Sequence, residues 1–341
     1  MMGFRRRRLV AVLAGLALAA GVAPSARAGD ADPSLQKQWG LTTIGAPEAW
    51  ARSTGAGVRI GIVDTGIDLA HEDLAAHIVE STACLETGGN PVNCKGTAQD
   101  VLGHGTHVAG IAAAVKDNGK GVAGVAPDAE IVVARVFEGA TATQEDVLAG
   151  IKWVVDRGAR VVNLSLGGAL FVMAATFGAE LAQGVEYAWA HGAVPVVASG
   201  NDDLFGAGIG SSEYGQMNAL VVGAAGHDGK AASYTSPTGN AKWAILAPGG
   251  SNGETQTDDI YSTIWKKGKQ NEYGYLAGTS MAAPHVTGAV ALLLAQGLSK
   301  EQAVETILST ADPVPCGPNS DHCRGRLNVA RAVGVSAEPT P

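Results

Sequence analysis

The sequence predicts an α/β fold: a doubly wound, mainly parallel sheet with helices on both faces. Three observations lead there. Short β-branched runs are apolar at nearly every position, as strands buried on both faces must be. Helical patterns alternate with those runs, in the order that βαβ units require. No internal repeat, heptad period or interdomain linker interrupts the alternation, so one domain is expected. Strands are expected at Val58–Val63, Ile131–Val136, Arg160–Leu164, Val194–Ala198 and Leu220–Gly223. Helices are expected between and after them at His104–Val115, Gln144–Asp156, Glu180–His191 and Ser280–Gln296, with a last one at Lys300–Leu308. The apolar stretch Val286–Leu298 is shorter than the roughly 20 residues of a membrane span and contains glycine, so it reads as a core helix. A chain of 341 residues, 46% hydrophobic but only 5% aromatic, with 47 glycines, can bury a sizeable core of closely packed small side chains.

Residues 1–28 stand outside this domain. Four arginines at 5–8, an apolar stretch from Leu9 to Ala23 and the triplet Ala26-Arg27-Ala28 make a secretory signal peptide, with cleavage expected after Ala28. A short polar lead, 29–37, precedes a domain at 38–333, and 334–341 form a polar tail. Removing the five arginines of residues 1–28 leaves 19 basic against 32 acidic residues, a net charge of −13. That balance excludes a nucleic-acid footprint, and no membrane partner is expected after cleavage. A secreted protein, extracellular or periplasmic and monomeric, is the reading.

Four cysteines, Cys84, Cys94, Cys316 and Cys323, lie in the mature chain, and an oxidising compartment favours disulfides. Three pairings are open. Closure within the turn-rich segments, Cys84 with Cys94 and Cys316 with Cys323, costs the least loop entropy and is expected. The sequence has no C-x-x-C pair to suggest zinc.

In an open α/β sheet, ligands gather beyond the carboxyl ends of the strands. Three polar segments are expected there. Asp64 ends a strand in Val63-Asp64-Thr65-Gly66-Ile67-Asp68. His104 opens a helix in Gly103-His104-Gly105-Thr106-His107-Val108-Ala109-Gly110, and Ser280 opens another in Gly278-Thr279-Ser280-Met281-Ala282-Ala283-Pro284-His285. A serine hydroxyl is a poor nucleophile until a base takes its proton, and a carboxylate must hold that base in one tautomer. Asp64, His104 and Ser280 can supply these three roles. A lipase or esterase would instead carry G-x-S-x-G and the order Ser, Asp, His, which does not fit.

These three segments in register resemble those of the subtilisin-like serine proteases, the subtilases, from about Trp39 to about Val333. The resemblance implies a subtilisin-like single domain and a serine endopeptidase that cuts peptide or protein substrates through an acyl-enzyme. Asp64 would orient, His104 would act as general base and then general acid, and Ser280 would attack the scissile carbonyl. Ala198-Ser199-Gly200-Asn201 resembles the family's oxyanion segment, with Asn201 donating its side-chain amide. Ser165-Leu166-Gly167-Gly168 resembles the segment that pairs with substrate as an added strand. With Ala198, Ser199 and Gly200 it would wall the first specificity pocket. Asp202 reads as a solvated loop acid, with a rim contact to a basic substrate residue as the other reading. The chain departs from most relatives at Glu213-Tyr214-Gly215-Gln216-Met217-Asn218, where a Tyr-Pro-Ala-like step is usual, and no pocket preference is carried across that departure.

The loop from Lys116 to Pro127 resembles the family's calcium loop. One structural Ca2+ is the cofactor implied, held by the side chains of Asp73 and Asn118 and the carbonyls of Lys116, Lys120 and Val122. His107 and His285 read as packed core histidines, since no H-E-x-x-H pattern or third ligand accompanies them. About ten residues separate the expected cleavage point from the domain, so folding is expected to lean on calcium, disulfides or a separate chaperone. Two other functions are kept open: an inactive subtilase-fold binding protein, and a dedicated processing protease with one partner substrate.

Overall fold

The computed structural model describes residues 31–166, 179–201 and 215–335. The predicted signal peptide, Gly167, Gly168, Asp202, Glu213, Tyr214 and the end of the polar tail lie outside them. The described chain opens with two short helices, α1 (Trp39–Thr43) and α2 (Ala46–Ala49), then runs β1 (Arg59–Asp64), β2 (Ile78–Ala83), α3 (His104–Ala113), β3 (Glu130–Arg135), α4 (Gln144–Asp156) and β4 (Ala159–Leu164). It continues through α5 (Ala179–Ala190), β5 (Val194–Ala198), β6 (Leu220–Ala225), β7 (Trp243–Pro248), β8 (Ile260–Ile264), β9 (Glu272–Leu276), α6 (Thr279–Ala295), α7 (Lys300–Ser309), β10 (Cys323–Arg326) and α8 (Val329–Ala332).

Among the described residues, eight strands form one sheet in the order β10-β7-β6-β5-β4-β1-β3-β2. Every pair in it is parallel. From β1 the chain goes out to β2 at one edge, returns to β3 between the two, then crosses to β4 and onward on the other side. That reversal at β1 opens a crevice beyond its carboxyl end, where Asp64 stands.

Helices cover both faces, as the sequence predicts. On one face α3 and α6 pack with residues of β1, β5 and β6 in a core that includes Ile60, Ile62, Val108, Val196, Val222 and Val290. On the other, α4 and α5 bury Val147, Ile151, Val154, Leu181 and Val185 against Val63, Val132 and Val162. Sixteen of the 17 residues of α6 are buried. A helix apolar on every side is a central helix, and this one fixes the position of whatever its first turn carries.

All five expected helices and all five expected strands agree with the observed ones to within two residues; α3 ends two residues early, at Ala113. Strands β2, β7 and β10 and the antiparallel β8–β9 hairpin were not anticipated. Both local cysteine pairs are bonded, Cys84–Cys94 and Cys316–Cys323. Among the described residues no helix is long and apolar enough to cross a membrane.

Candidate active site

Asp64 is fully buried at the carboxyl end of β1. Its Oδ1 accepts from the Thr65 N–H at 2.7 Å and lies 2.7 Å from His104 Nδ1. Its Oδ2 has no hydrogen bond among the described residues. A carboxylate sheltered from water and bonded on one oxygen holds the proton on Nδ1 and leaves Nε2 as the basic nitrogen. Burial alone disfavours the imidazolium of His104, but the Asp64 charge and hydrogen bond, with Asp100 behind them, prevail and raise its pKa above the ordinary value.

The close approach of the two segments depends on glycine. A Cβ on Gly105 would come 2.1 Å from the Gly66 carbonyl and 3.0 Å from Asp64 Cβ. Only a residue without a side chain lets α3 begin this near to the end of β1.

Ser280 is the second residue of α6 and is 4% exposed. Its Oγ lies 3.4 Å from the Ser165 carbonyl. Pro284 stands four residues on and has no N–H to donate to the Ser280 carbonyl, as a helix interior otherwise provides. That freed carbonyl accepts from Ser165 Oγ at 2.8 Å. Ser165 in turn accepts from Asn163 Nδ2, whose Oδ1 accepts from Thr287 Oγ1. A buried polar chain therefore ties the end of β4 to two turns of α6. Each member is satisfied, which is the condition for such a chain to rigidify its surroundings. The Ser165 side chain thus faces α6, so a contact with substrate from this residue falls to its backbone. Leu166, Ala198 and Ser199 are buried, and Ser199 Oγ donates to the Ser236 carbonyl.

Asn201 follows β5. Its Oδ1 accepts from both the N–H and the hydroxyl of Thr279, at 2.9 and 3.1 Å. This fixes the amide orientation and leaves Nδ2 to donate; a Cβ on Gly278 would lie 3.4 Å from it. The Thr279 hydroxyl also accepts from the Gly200 N–H. Thr279 thus sets both the Asn201 amide and the preceding turn. Nothing in the sequence marks this threonine, because only the fold brings its partners near.

His107 and His285 are core residues, as expected. His107 Nε2 is 3.0 and 3.1 Å from the carbonyls of Ile260 and Gly274, so α3 is pinned under the β8–β9 hairpin. Burial pushes His107 down to about 3 and His285 to about 4.

Of the expected calcium ligands, the structure brings Asp73 and Asn118 together. Asn118 Nδ2 donates to Asp73 Oδ1, while the Val122 N–H and the Tyr273 hydroxyl donate to Asp73 Oδ2. A residue missed in the sequence joins them: Asp32, 4% exposed, accepts from the N–H groups of Asp117 and Asn118. Burial first, then the nearby Asp117 and Asp73 charges, raise the Asp32 pKa despite those two hydrogen bonds. Among the described residues no group of three His, Cys, Asp or Glu side chains gathers to hold a metal. Two buried carboxylates whose hydrogen-bond donors are all neutral, linked through Asn118, nonetheless suit a hard cation in charge.

The chain is similar to known proteins along most of its length. The model of the Subtilase family matches residues 55–335. Thermitase from Thermoactinomyces vulgaris is 38% identical over 301 residues, covering 87% of this chain and 96% of thermitase. Subtilisin DY from Bacillus licheniformis is 34% identical over 299 residues, covering 86% and 97%. A solved structure of a Pseudoalteromonas arctica protease superposes with a TM-score of 0.73 at 26% identity, covering 90% of this chain and all of that one.

Proposed function

The chain belongs to the subtilase family, as a subtilisin-type serine endopeptidase, and on that premise we propose that Asp64, His104 and Ser280 are its reacting groups in a secreted enzyme of one catalytic domain. The observation that carries the assignment is the 2.7 Å contact between His104 Nδ1 and a buried Asp64 carboxylate. In this mechanism Nε2 takes the Ser280 proton as Oγ attacks the substrate carbonyl. The tetrahedral oxyanion is received by Asn201 Nδ2 and the Ser280 N–H at the amino end of α6, where the helix dipole adds to both. His104 then returns the proton to the leaving amine, and water repeats the sequence on the acyl-enzyme.

Peptide substrate lies extended along the backbone that follows β4 and β5, at Ser165, Leu166, Gly167, Ala198, Ser199 and Gly200. Main-chain pairing there reads peptide with little regard to sequence. Export through the segment 1–28 accords with the acidic mature chain and its two disulfides. Calcium would be held by Asp73, Asn118 and Asp32 with the carbonyls of Lys116, Lys120 and Val122. When bound it would neutralise buried carboxylates and fix the loop after α3.

The test is labelling of the mature chain with a fluorophosphonate, followed by peptide mapping, beside Ser280→Ala. Label on Ser280, lost in the variant together with peptide cleavage, is expected. Cleavage that persists in Ser280→Ala would assign the chemistry elsewhere, and a folded wild type inert to both reagents would favour the binding-protein alternative.

A further inference from the structure

One fully buried carboxylate has no part in the mechanism above. Asp100 is 1% exposed and lies in the loop before α3. Its Oδ1 accepts from Thr65 Oγ1 at 2.8 Å, from the Leu102 N–H at 3.0 Å and from the Gly103 N–H at 2.9 Å. Its Oδ2 accepts from the N–H and the hydroxyl of Thr106. These five donors are all neutral, and each sits within two residues of a reacting group. Thr65 follows Asp64 in the chain, Leu102 and Gly103 precede His104, and Thr106 lies two residues beyond it. Thr65 Oγ1 also accepts from the Gly105 N–H at 2.9 Å, so β1 and α3 are linked a second time through the same hydroxyl.

An uncharged residue cannot do this. Five donors converge on two oxygens, and an amide in place of the carboxylate would set its own N–H groups against one set of them. The donors satisfy both oxygens of the carboxylate without any cationic partner among them. The Coulombic field of that charge also acts on His104.

We propose that Asp100 is the positioning residue of the Asp64–His104 pair, a clamp that fixes α3 to the end of β1 and a second negative charge that favours the imidazolium formed when Ser280 is deprotonated. This rests on the reading of Asp64, His104 and Ser280 as the reacting groups. The groups that face His104 are compatible with it. Asp64 comes from β1 and His107 from the next turn of α3, and on the reading above Ser280 comes from the start of α6. His107, and His285 behind it on α6, are held neutral by burial. The hairpin above contributes Ser262 and Thr263, whose hydroxyls donate to carbonyls of α3.

The experiment compares wild type with Asp100→Asn in the mature chain, using peptide hydrolysis from pH 5 to 10 and a thermal melt to verify folding. In Asp100→Asn, kcat is expected to fall about 10- to 100-fold with KM within about threefold, as a small misplacement of reacting groups costs. The acid limb of kcat/KM is expected to move to lower pH by at least about 0.3 unit, as loss of a nearby negative charge requires. A merely structural role would not move that limb. A folded variant with wild-type kcat and an unmoved limb overturns the proposal. If Asp100→Asn does not fold, Thr65 and Thr106 decide. Thr65→Ala and Thr106→Val are then expected to lose kcat at unchanged KM where Thr65→Ser and Thr106→Ser keep it, and equal kcat in the two sets overturns the proposal. A wild type that fails to react with the fluorophosphonate sinks the reading of the site itself, which separates the two failures.

Discussion

A hydroxyl attacks a carbonyl only when its proton has a destination and the new oxyanion has donors waiting. Asn201 is the side-chain donor in this account. Because Thr279 holds its Oδ1, the free end of the amide is aimed without searching. Asn201→Ala is expected to lower kcat by about 10²–10³ with KM nearly unchanged, the range found for the corresponding subtilisin donor; steady-state kinetics on one peptide substrate checks it. The raised pKa of His104 sets the acid limit of activity. Its Nε2 must be unprotonated to act as base, and a pKa held above the ordinary 6.5 keeps it protonated to higher pH. The acid limb of kcat/KM is therefore expected above pH 6.5 and a limb below 6 would contradict it. Asp64, His104, Ser280 and Asn201 were legible in the sequence because each stands in a motif. Asp32, Asp100 and Thr279 were not, because their partners are donors that only the folded chain brings near.

Single elements carry their own predictions. Helix α3 rests on the Asp64 strand through Gly105, so Gly105→Ala must push it outward. A loss of about 2–3 kcal/mol in unfolding free energy, with near-complete loss of activity, is expected from urea titration and peptide assay. The Cys84–Cys94 bond closes a segment of sequence separation 10. Replacing both cysteines by alanine is expected to cost about 3 kcal/mol on the loop-entropy model, read in the same titration. Helices α3 and α6 also bury His107 and His285 as neutral rings, with pKa values near 3 and 4. In the unfolded chain both take up protons near 6.5, so the stability they secure is complete above that pH. It is lost progressively as pH falls toward their folded values, by several kcal/mol in all. Urea midpoints are expected to drop steadily between pH 6.5 and 4, and a flat profile would contradict this. The buried parallel strands were readable because they are apolar at nearly every position. β2 and β10 lie at the two edges of the sheet, where polar residues such as Glu80, Ser81, Arg324 and Arg326 break that pattern. In β7 alanine dilutes the β-branched signal, and the β8–β9 hairpin is only partly buried with a long polar turn.

At the scale of the whole molecule, the winding reversal at β1 and the central helix α6 deliver residues far apart in sequence to one crevice. The N-terminal lead belongs to this assembly. Asp32, Ser34 and Gln38 bind the 117–123 loop, Gln38 through both its amide atoms to Ala123. Calcium at that loop would therefore stabilise the lead and the end of α3 together. Chelation is expected to lower the melting temperature of wild type but leave Asp73→Asn nearly unaffected, and equal melting of both with and without chelator would remove calcium from the account. The catalytic expectations assume that Ser280 is the nucleophile and Asn201 its partner across the oxyanion. The most direct measurement is a crystal structure of the mature chain inactivated by a peptidyl phosphonate. The account predicts phosphorus bonded to Ser280 Oγ, with a phosphoryl oxygen about 2.7–3.1 Å from both Asn201 Nδ2 and the Ser280 nitrogen. Phosphorus on any other residue, or an oxygen turned away from Asn201, would contradict it.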